Sequence, residues 1–154
     1  MASYKCVVDG ACRGSGTKGK RTGQGAAAVL IYKDNKLIGE YSRPLGEVTS
    51  NAAEFEAVIL AATLCWSTGL PTPTIYTDSS VVYNAFHGIK EPDTPELNPL
   101  IYTLNQIKNN HPFKLVQVKR REVSEADFLA KQCLDDLQRS VRNKRLTRDG
   151  LDVN

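Results

Sequence analysis

Within its first 45 residues the chain sets three strand-like runs one after another, and from there helix-like and strand-like segments alternate to the end. That order restricts the fold more than any other feature. Consecutive strands joined by short turns pair antiparallel, whereas strands separated by helices return parallel, so the chain is expected to form one mixed α/β sheet. Residues 3–10 read as the first strand, running into a turn at Asp9-Gly10, and residues 26–32 as the second, after a Gly-rich basic loop from 14 to 25. Lys33-Asp34-Asn35 is a hairpin turn leading into a third strand over 36–45, which ends at Pro44. A helix opening at Thr49-Ser50-Asn51 runs to about Ser67 and is closed by Gly69 and Pro71. Residues 74–78 form a fourth strand, 79–86 a short helix, 97–109 another helix, 113–119 a fifth strand and 124–141 a last helix.

With 154 residues the chain is expected to be one domain over 1–141, followed by a basic, flexible tail over 142–154. No apolar run approaches the length of a membrane span, and Met1-Ala2-Ser3-Tyr4-Lys5 lacks the order of a signal peptide, so a cytoplasmic protein with no membrane partner is expected. Four widely spaced cysteines and two histidines argue against a disulfide framework or a zinc site. The net charge of +3 is small, but the cations cluster at Arg13, Lys18, Lys20 and Arg21, at Lys119-Arg120-Arg121, and from Arg139 to Arg148, which suits a polyanion.

Four carboxylates stand where elements begin or end. Asp9 closes an apolar strand, with Gly10 leaving room for a ligand to approach; Asp78 ends the fourth strand just before Ser79-Ser80. At 100° per residue Glu54 shares a helix column with Val58, Ala61 and Cys65, whereas Glu56 falls with Thr63 and Ser67 on the polar stripe. Asp127 edges the apolar stripe of the last helix. Each also has a purely structural explanation: a turn at Asp9-Gly10, helix caps at Asp78 and at Ser124-x-x-Asp127, and a capping box Asn51-x-x-Glu54. Together they form a hard-oxygen donor set without His or Cys, which suits Mg²⁺ or Mn²⁺. Two such ions about 4 Å apart are one way to run phosphoryl displacement.

Val8-Asp9-Gly10-Ala11, Thr49-Ser50-Asn51-Ala52-Ala53-Glu54, Ile75-Tyr76-Thr77-Asp78-Ser79-Ser80 and Glu125-Ala126-Asp127-Phe128 resemble, in order and spacing, the four motifs of type 1 ribonuclease H. The resemblance spans residues 4–137. It implies a ribonuclease H-like α/β fold, a five-stranded mixed sheet in the order 3-2-1-4-5 with helices on both faces. It also implies cleavage of the RNA strand of RNA/DNA hybrids, leaving 5′-phosphate and 3′-hydroxyl ends. The cofactor implied is a pair of Mg²⁺ ions, or Mn²⁺, with Asp9 bridging: Asp9 and Asp127 hold one ion, and Asp9, Glu54 and Asp78 the other. Substrate contacts are implied at Gly10, Ala11, Thr49, Ser50, Asn51, Ser80 and Arg121. The resemblance implies no protein partner and leaves the oligomeric state open.

The chain departs from the family pattern in several ways. Val118-Lys119-Arg120-Arg121-Glu122-Val123 fills the stretch where many members carry a loop histidine, with Arg120, Arg121 or Glu122 as stand-ins. Val123 and Ser124 occupy the place of an Asn frequent before the last aspartate, and Ser50 and Ser80 stand where amides are common. Only 49 positions separate Asp78 from Asp127 (127 − 78), too few for the basic helical handle of many bacterial members. Lys18, Lys20, Arg21 and the basic C-terminal segment are candidates for that grip. Two other readings share this site: a nuclease of the same fold with another nucleic-acid substrate, and a non-catalytic nucleic-acid-binding module.

Overall fold

A computed structural model describes residues 2–14 and 22–148, with side chains described as far as Ser140. Lys18, Lys20 and Arg21, and residues 149–154 of the expected tail, lie outside the described residues. Strands β1 (Tyr4–Arg13), β2 (Gly23–Lys33) and β3 (Lys36–Val48) precede helix α1 (Ser50–Thr68), strand β4 (Thr74–Thr77) and helix α2 (Ser80–Phe86). Helix α3 (Asn98–Asn110), strand β5 (Lys114–Gln117) and helix α4 (Ser124–Arg148) follow, with single 3₁₀ turns at Pro95–Leu97 and Arg120–Val123. The sheet order is β3-β2-β1-β4-β5, with β1, β2 and β3 antiparallel and β4 and β5 parallel to β1.

Strand alternation divides the core into two layers. Cys6, Val8, Ala27 and Val29 face α1 and pack with Phe55, Val58, Ala61, Ile75 and Leu104. Val7, Ala11, Ala28 and Leu30 face the other way and meet Val123, Ala126, Ala130 and Leu134 under α4. Helices therefore cover both faces, as expected. Among the described residues no helix is long and apolar enough to cross a membrane.

The element ends differ from the sequence reading. The first strand does not stop at Gly10: β2 continues to pair with it as far as Arg13↔Gln24, so Asp9 is mid-strand, opposite Ala28. The third strand passes Pro44, which the sheet tolerates because β3 is an edge strand and a register shift falls at Gly25/Ala26, beside it. The last helix runs beyond Val141 to Arg148. Its apolar stripe ends near Val141, but Arg, Lys and Leu continue a helix readily without one.

Candidate active site

Strand β1 has two neighbours over its first half and one over its second. Parallel pairing with β4 covers only Lys5–Val7 against Thr74–Tyr76, so beyond it β1 presents a free edge. Asp9 and Gly10 lie on that edge. Gly10 faces α1: a Cβ built there would sit 2.4 Å from the Ala53 carbonyl carbon and 2.6 Å from the Glu54 nitrogen. The missing side chain thus admits the backbone of α1, not a ligand as the sequence suggested. In return the Gly10 N–H, which β4 leaves unpaired, donates to Glu54 Oε1 at 2.9 Å.

That bond rules out the capping-box explanation of Glu54. The N-cap of α1 is Thr49, whose hydroxyl accepts from the Ala52 N–H at 3.1 Å. Asp78 is likewise no cap: Ser79 performs that task for α2, accepting from the Val82 N–H at 3.2 Å. Both carboxylates are left to face Asp9. Oxygens of Asp9, Glu54 and Asp78 all lie within 4.8 Å of one another, the one such group of candidate metal ligands among the described residues. Asp9 is only 5% exposed. Asp78 Oδ1 is buried with no hydrogen-bond partner, although buried carboxylate oxygens are ordinarily satisfied.

Asp127, in the first turn of α4, is not one of the three carboxylates whose oxygens converge, but Asp9 and Asp127 each influence the other's titration. Lys131, one turn along, donates to Asp127 Oδ2 at 2.9 Å. Asp127 thus combines a first-turn position, where its charge suits the helix N-terminus, with the contact to Lys131. Glu56, the other acid of α1, is not in the cluster and is half-buried.

The electrostatics follow from crowding. Burial, then the charge of Glu54, the hydrogen bond with Asp127 and the charge of Asp78 push Asp9 up to about 9. Burial also raises Glu54, to about 7, against the lowering effect of the Gly10 N–H. Burial pushes Asp127 up, but the hydrogen bonds from Lys131 and Asp9 and the charges of Lys131 and Arg120 together hold it below its ordinary value. The cluster therefore lacks positive charge at its inner end. A divalent cation fits it: the donors are hard oxygens, they converge, and one buried oxygen has no other partner.

The remaining expected residues divide by position. Asn51 and Ser80, both exposed, line one cleft with Asn84 and residues 90–94, beside the carboxylates. Ser50 is exposed at the start of α1, and Thr49 is occupied as its cap. Ala11 is buried under α4, which leaves only its backbone for any contact. Of the three stand-ins for a loop histidine, Arg120 is the one at the site, with Nε 3.7 Å from Asp78 Oδ2. Glu122 accepts from the Lys119 N–H at 3.2 Å and caps its own turn, and among the described residues no ion pair joins Arg121 to the carboxylates. The helical spacing puts Lys131 beside Asp127 but gives it no role, which the ion pair supplies.

Residues 11–133 match the family model described as reverse transcriptase-like. A ribonuclease HI of Halobacterium salinarum is 27% identical over 132 residues, covering 83% of this chain; the chain spans 62% of that relative's length. The crystal structure of RNase H1 from Halobacterium salinarum superposes with a TM-score of 0.79 at 24% identity, covering 87% of this chain and 98% of that one. LC11-RNase H1, isolated from compost by a metagenomic approach and solved in complex with an RNA/DNA hybrid, gives 0.79 at 22% identity, covering 88% and 99%.

Proposed function

The chain belongs to the reverse transcriptase-like family and has the type 1 ribonuclease H fold, and on that premise we propose that it is a metal-dependent endonuclease hydrolysing the RNA strand of RNA/DNA hybrids. The observation that carries the proposal is the convergence of Asp9, Glu54 and Asp78 around a buried, unpartnered Asp78 Oδ1. The 27%-identical relative named ribonuclease HI, and the hybrid bound to LC11-RNase H1, support the substrate class.

In this reading Asp9, Glu54 and Asp78 would hold one Mg²⁺, and Asp9 with Asp127 would hold a second, Mn²⁺ being an alternative to both. Bound there, the cations would supply Lewis acidity and charge neutralisation for phosphodiester hydrolysis that leaves 5′-phosphate and 3′-hydroxyl ends. The chain's own contributions are distinct. Gly10 fixes Glu54 through its N–H, so this carboxylate is oriented before any ligand arrives. Lys131 holds Asp127 ionised at the rim. Arg120, whose guanidinium stands beside Asp78, draws a phosphate toward the carboxylates. Asn51 and Ser80, with the backbone at Gly10 and Ala11, would hold the hybrid beside the scissile bond, with Thr49, Ser50 and Arg121 as further contacts. Requiring ribose 2′-hydroxyls on one strand is what would separate hybrid from DNA duplex.

The test compares wild type with Asp9→Asn and Glu54→Gln. Both variants should lose hybrid cleavage by at least about a thousandfold while binding a labelled hybrid within a few-fold of wild type, because affinity rests mainly on the cationic clusters. Cleavage near the wild-type rate in either variant would contradict the assignment.

A further inference from the structure

The two faces of the sheet are not covered to the same extent. On the side away from α1, helix α4 packs on β1, β2 and β3. Among the described residues, every buried side chain of that layer comes from β1, β2, α4 or the 3₁₀ turn before α4, and none from β4 or β5. Strand alternation identifies what is left uncovered. Cys6, Ile75 and Leu115 are buried toward α1, so their neighbours Lys5, Val7, Thr74, Tyr76, Lys114 and Val116 point the other way. Lys114 is exposed, Val116 is 37% exposed, and Lys5, Thr74 and Tyr76 are half-buried.

This face is cationic and aromatic. Lys5 and Lys114 stand in register on either side of Thr74, two strand spacings or about 10 Å apart. Among the described residues neither forms an ion pair. Lys5 Nζ instead lies 4.9 Å from the centroid of the Tyr32 ring and 5.8 Å from that of Tyr76. Such contacts steady an ammonium without neutralising it. None of the six positions carries an acid. Glu40 and Glu125 line a groove at Leu30 and Leu37, on the β2–β3 side, so an anion is steered toward β4 and β5.

The face is also continuous with the carboxylates. Asp78 follows two residues after Tyr76, and Asp9 four after Lys5, roughly 7 and 13 Å along their strands. Arg120, beside Asp78, comes just after β5, so cations mark both ends of a path from the site to Lys114. Lysines suit phosphates, and a flat ring beside an aliphatic side chain suits unpaired bases. A duplex would meet this face with phosphates alone, because its bases already stack on one another.

We infer that the uncovered face of β1, β4 and β5 is a second nucleic-acid site that takes a single strand, with phosphates at Lys5 and Lys114 and a base on Tyr76. Binding there does not depend on the proposed cleavage. Where both hold, the face receives the unpaired strand flanking a hybrid at the carboxylates. It does not read sequence, since every base has a ring face and every linkage a phosphate.

The full-length protein is tested in chelator with labelled oligo-dT and oligo-rU of about 12 nucleotides, and with an abasic strand and a DNA duplex of that length. Wild type is compared with Y76L, K5Q/K114Q and K5R/K114R, once circular dichroism shows all four folded. Y76L should bind oligo-dT at least about fivefold more weakly at an unchanged salt slope, and bind the abasic strand as wild type does. K5Q/K114Q should bind oligo-dT at least about tenfold more weakly, with the slope of log K against log salt reduced by about one, and K5R/K114R should keep the slope. Duplex binding should differ by less than about twofold among the four. Independently of any variant, oligo-dT added to isotope-labelled wild type should shift the amide resonances of Lys5, Thr74–Tyr76 and Lys114–Val116. Equal oligo-dT binding by K5Q/K114Q and wild type, or shifts confined to the carboxylate end, would overturn the site. So would wild type that binds neither single strand at about 0.1 mM, which would leave the face to a protein partner.

Discussion

Replacing Asp9 by Asn should make the metal-free protein more stable, by an amount that grows with pH. In the fold, burial and the neighbouring Glu54, Asp127 and Asp78 push Asp9 from its ordinary 3.8 to about 9. In the unfolded chain it titrates near 3.8. Between those values the folded state binds the extra proton, so stability is full below about pH 3.8 and falls as pH rises through the folded value near 9. At pH 7 the cost is about 1.36 × (7 − 3.8), or roughly 4 kcal/mol, as an upper bound. Neighbouring carboxylates share protons with Asp9 and recover some of this, so a gain of roughly 2–4 kcal/mol is expected for a neutral amide of the same shape. For a chain this size that is about 5–15 °C in Tm. The assay is thermal unfolding followed by circular dichroism in chelator, from pH 5 to 9. The wild-type Tm should fall across the range relative to Asp9→Asn, and Mg²⁺ should restore it in wild type but not in the variant. A Tm difference independent of pH, or an Asn variant less stable at pH 8, would refute the reasoning.

Gly10→Ala should destabilise by about 3 kcal/mol or more, measured by urea unfolding, because its Cβ would lie 2.4 Å from the α1 backbone; a change under about 1 kcal/mol would mean that α1 can move away. Lys131→Met should raise the acid limb of the pH–rate profile, since Asp127 loses the partner that holds it ionised; an unmoved limb would remove Lys131 from the site. Arg120→Ala should lower hybrid cleavage by about ten- to a hundredfold and Arg121→Ala by less than about threefold, in steady-state assays; the reverse order would reassign the role.

Much of the site could be read from the sequence because a buried carboxylate is conspicuous in an apolar setting. Glu54 stands out in its column with Val58, Ala61 and Cys65, Asp9 follows the apolar run Cys6-Val7-Val8, and Asp78 ends the fourth strand. The strand order came with the family resemblance; periodicity alone gives only strands and helices in sequence. What was misread depended on tertiary contacts. Gly10 was taken to admit a ligand because nothing local says that α1 crosses there. Thr49, Ser50 and Asn51 are all good capping types, and only the direction in which the helix departs selects Thr49. Arg120 and Arg121 are indistinguishable until the Arg120–Val123 turn sets which one faces Asp78. The end of β1 was placed early because Asp9-Gly10 resembles a turn, whereas pairing with β2 carries the strand on to Arg13.

The most direct measurement is cleavage of end-labelled RNA/DNA hybrid, RNA/RNA and DNA/DNA duplexes with Mg²⁺, with Mn²⁺ and with chelator. Metal-dependent cutting confined to the RNA strand of the hybrid is the expected result. Cutting of the other duplexes at a comparable rate, or no cutting of any duplex while the hybrid is bound tightly, would contradict the proposal that these carboxylates make a hybrid-specific ribonuclease.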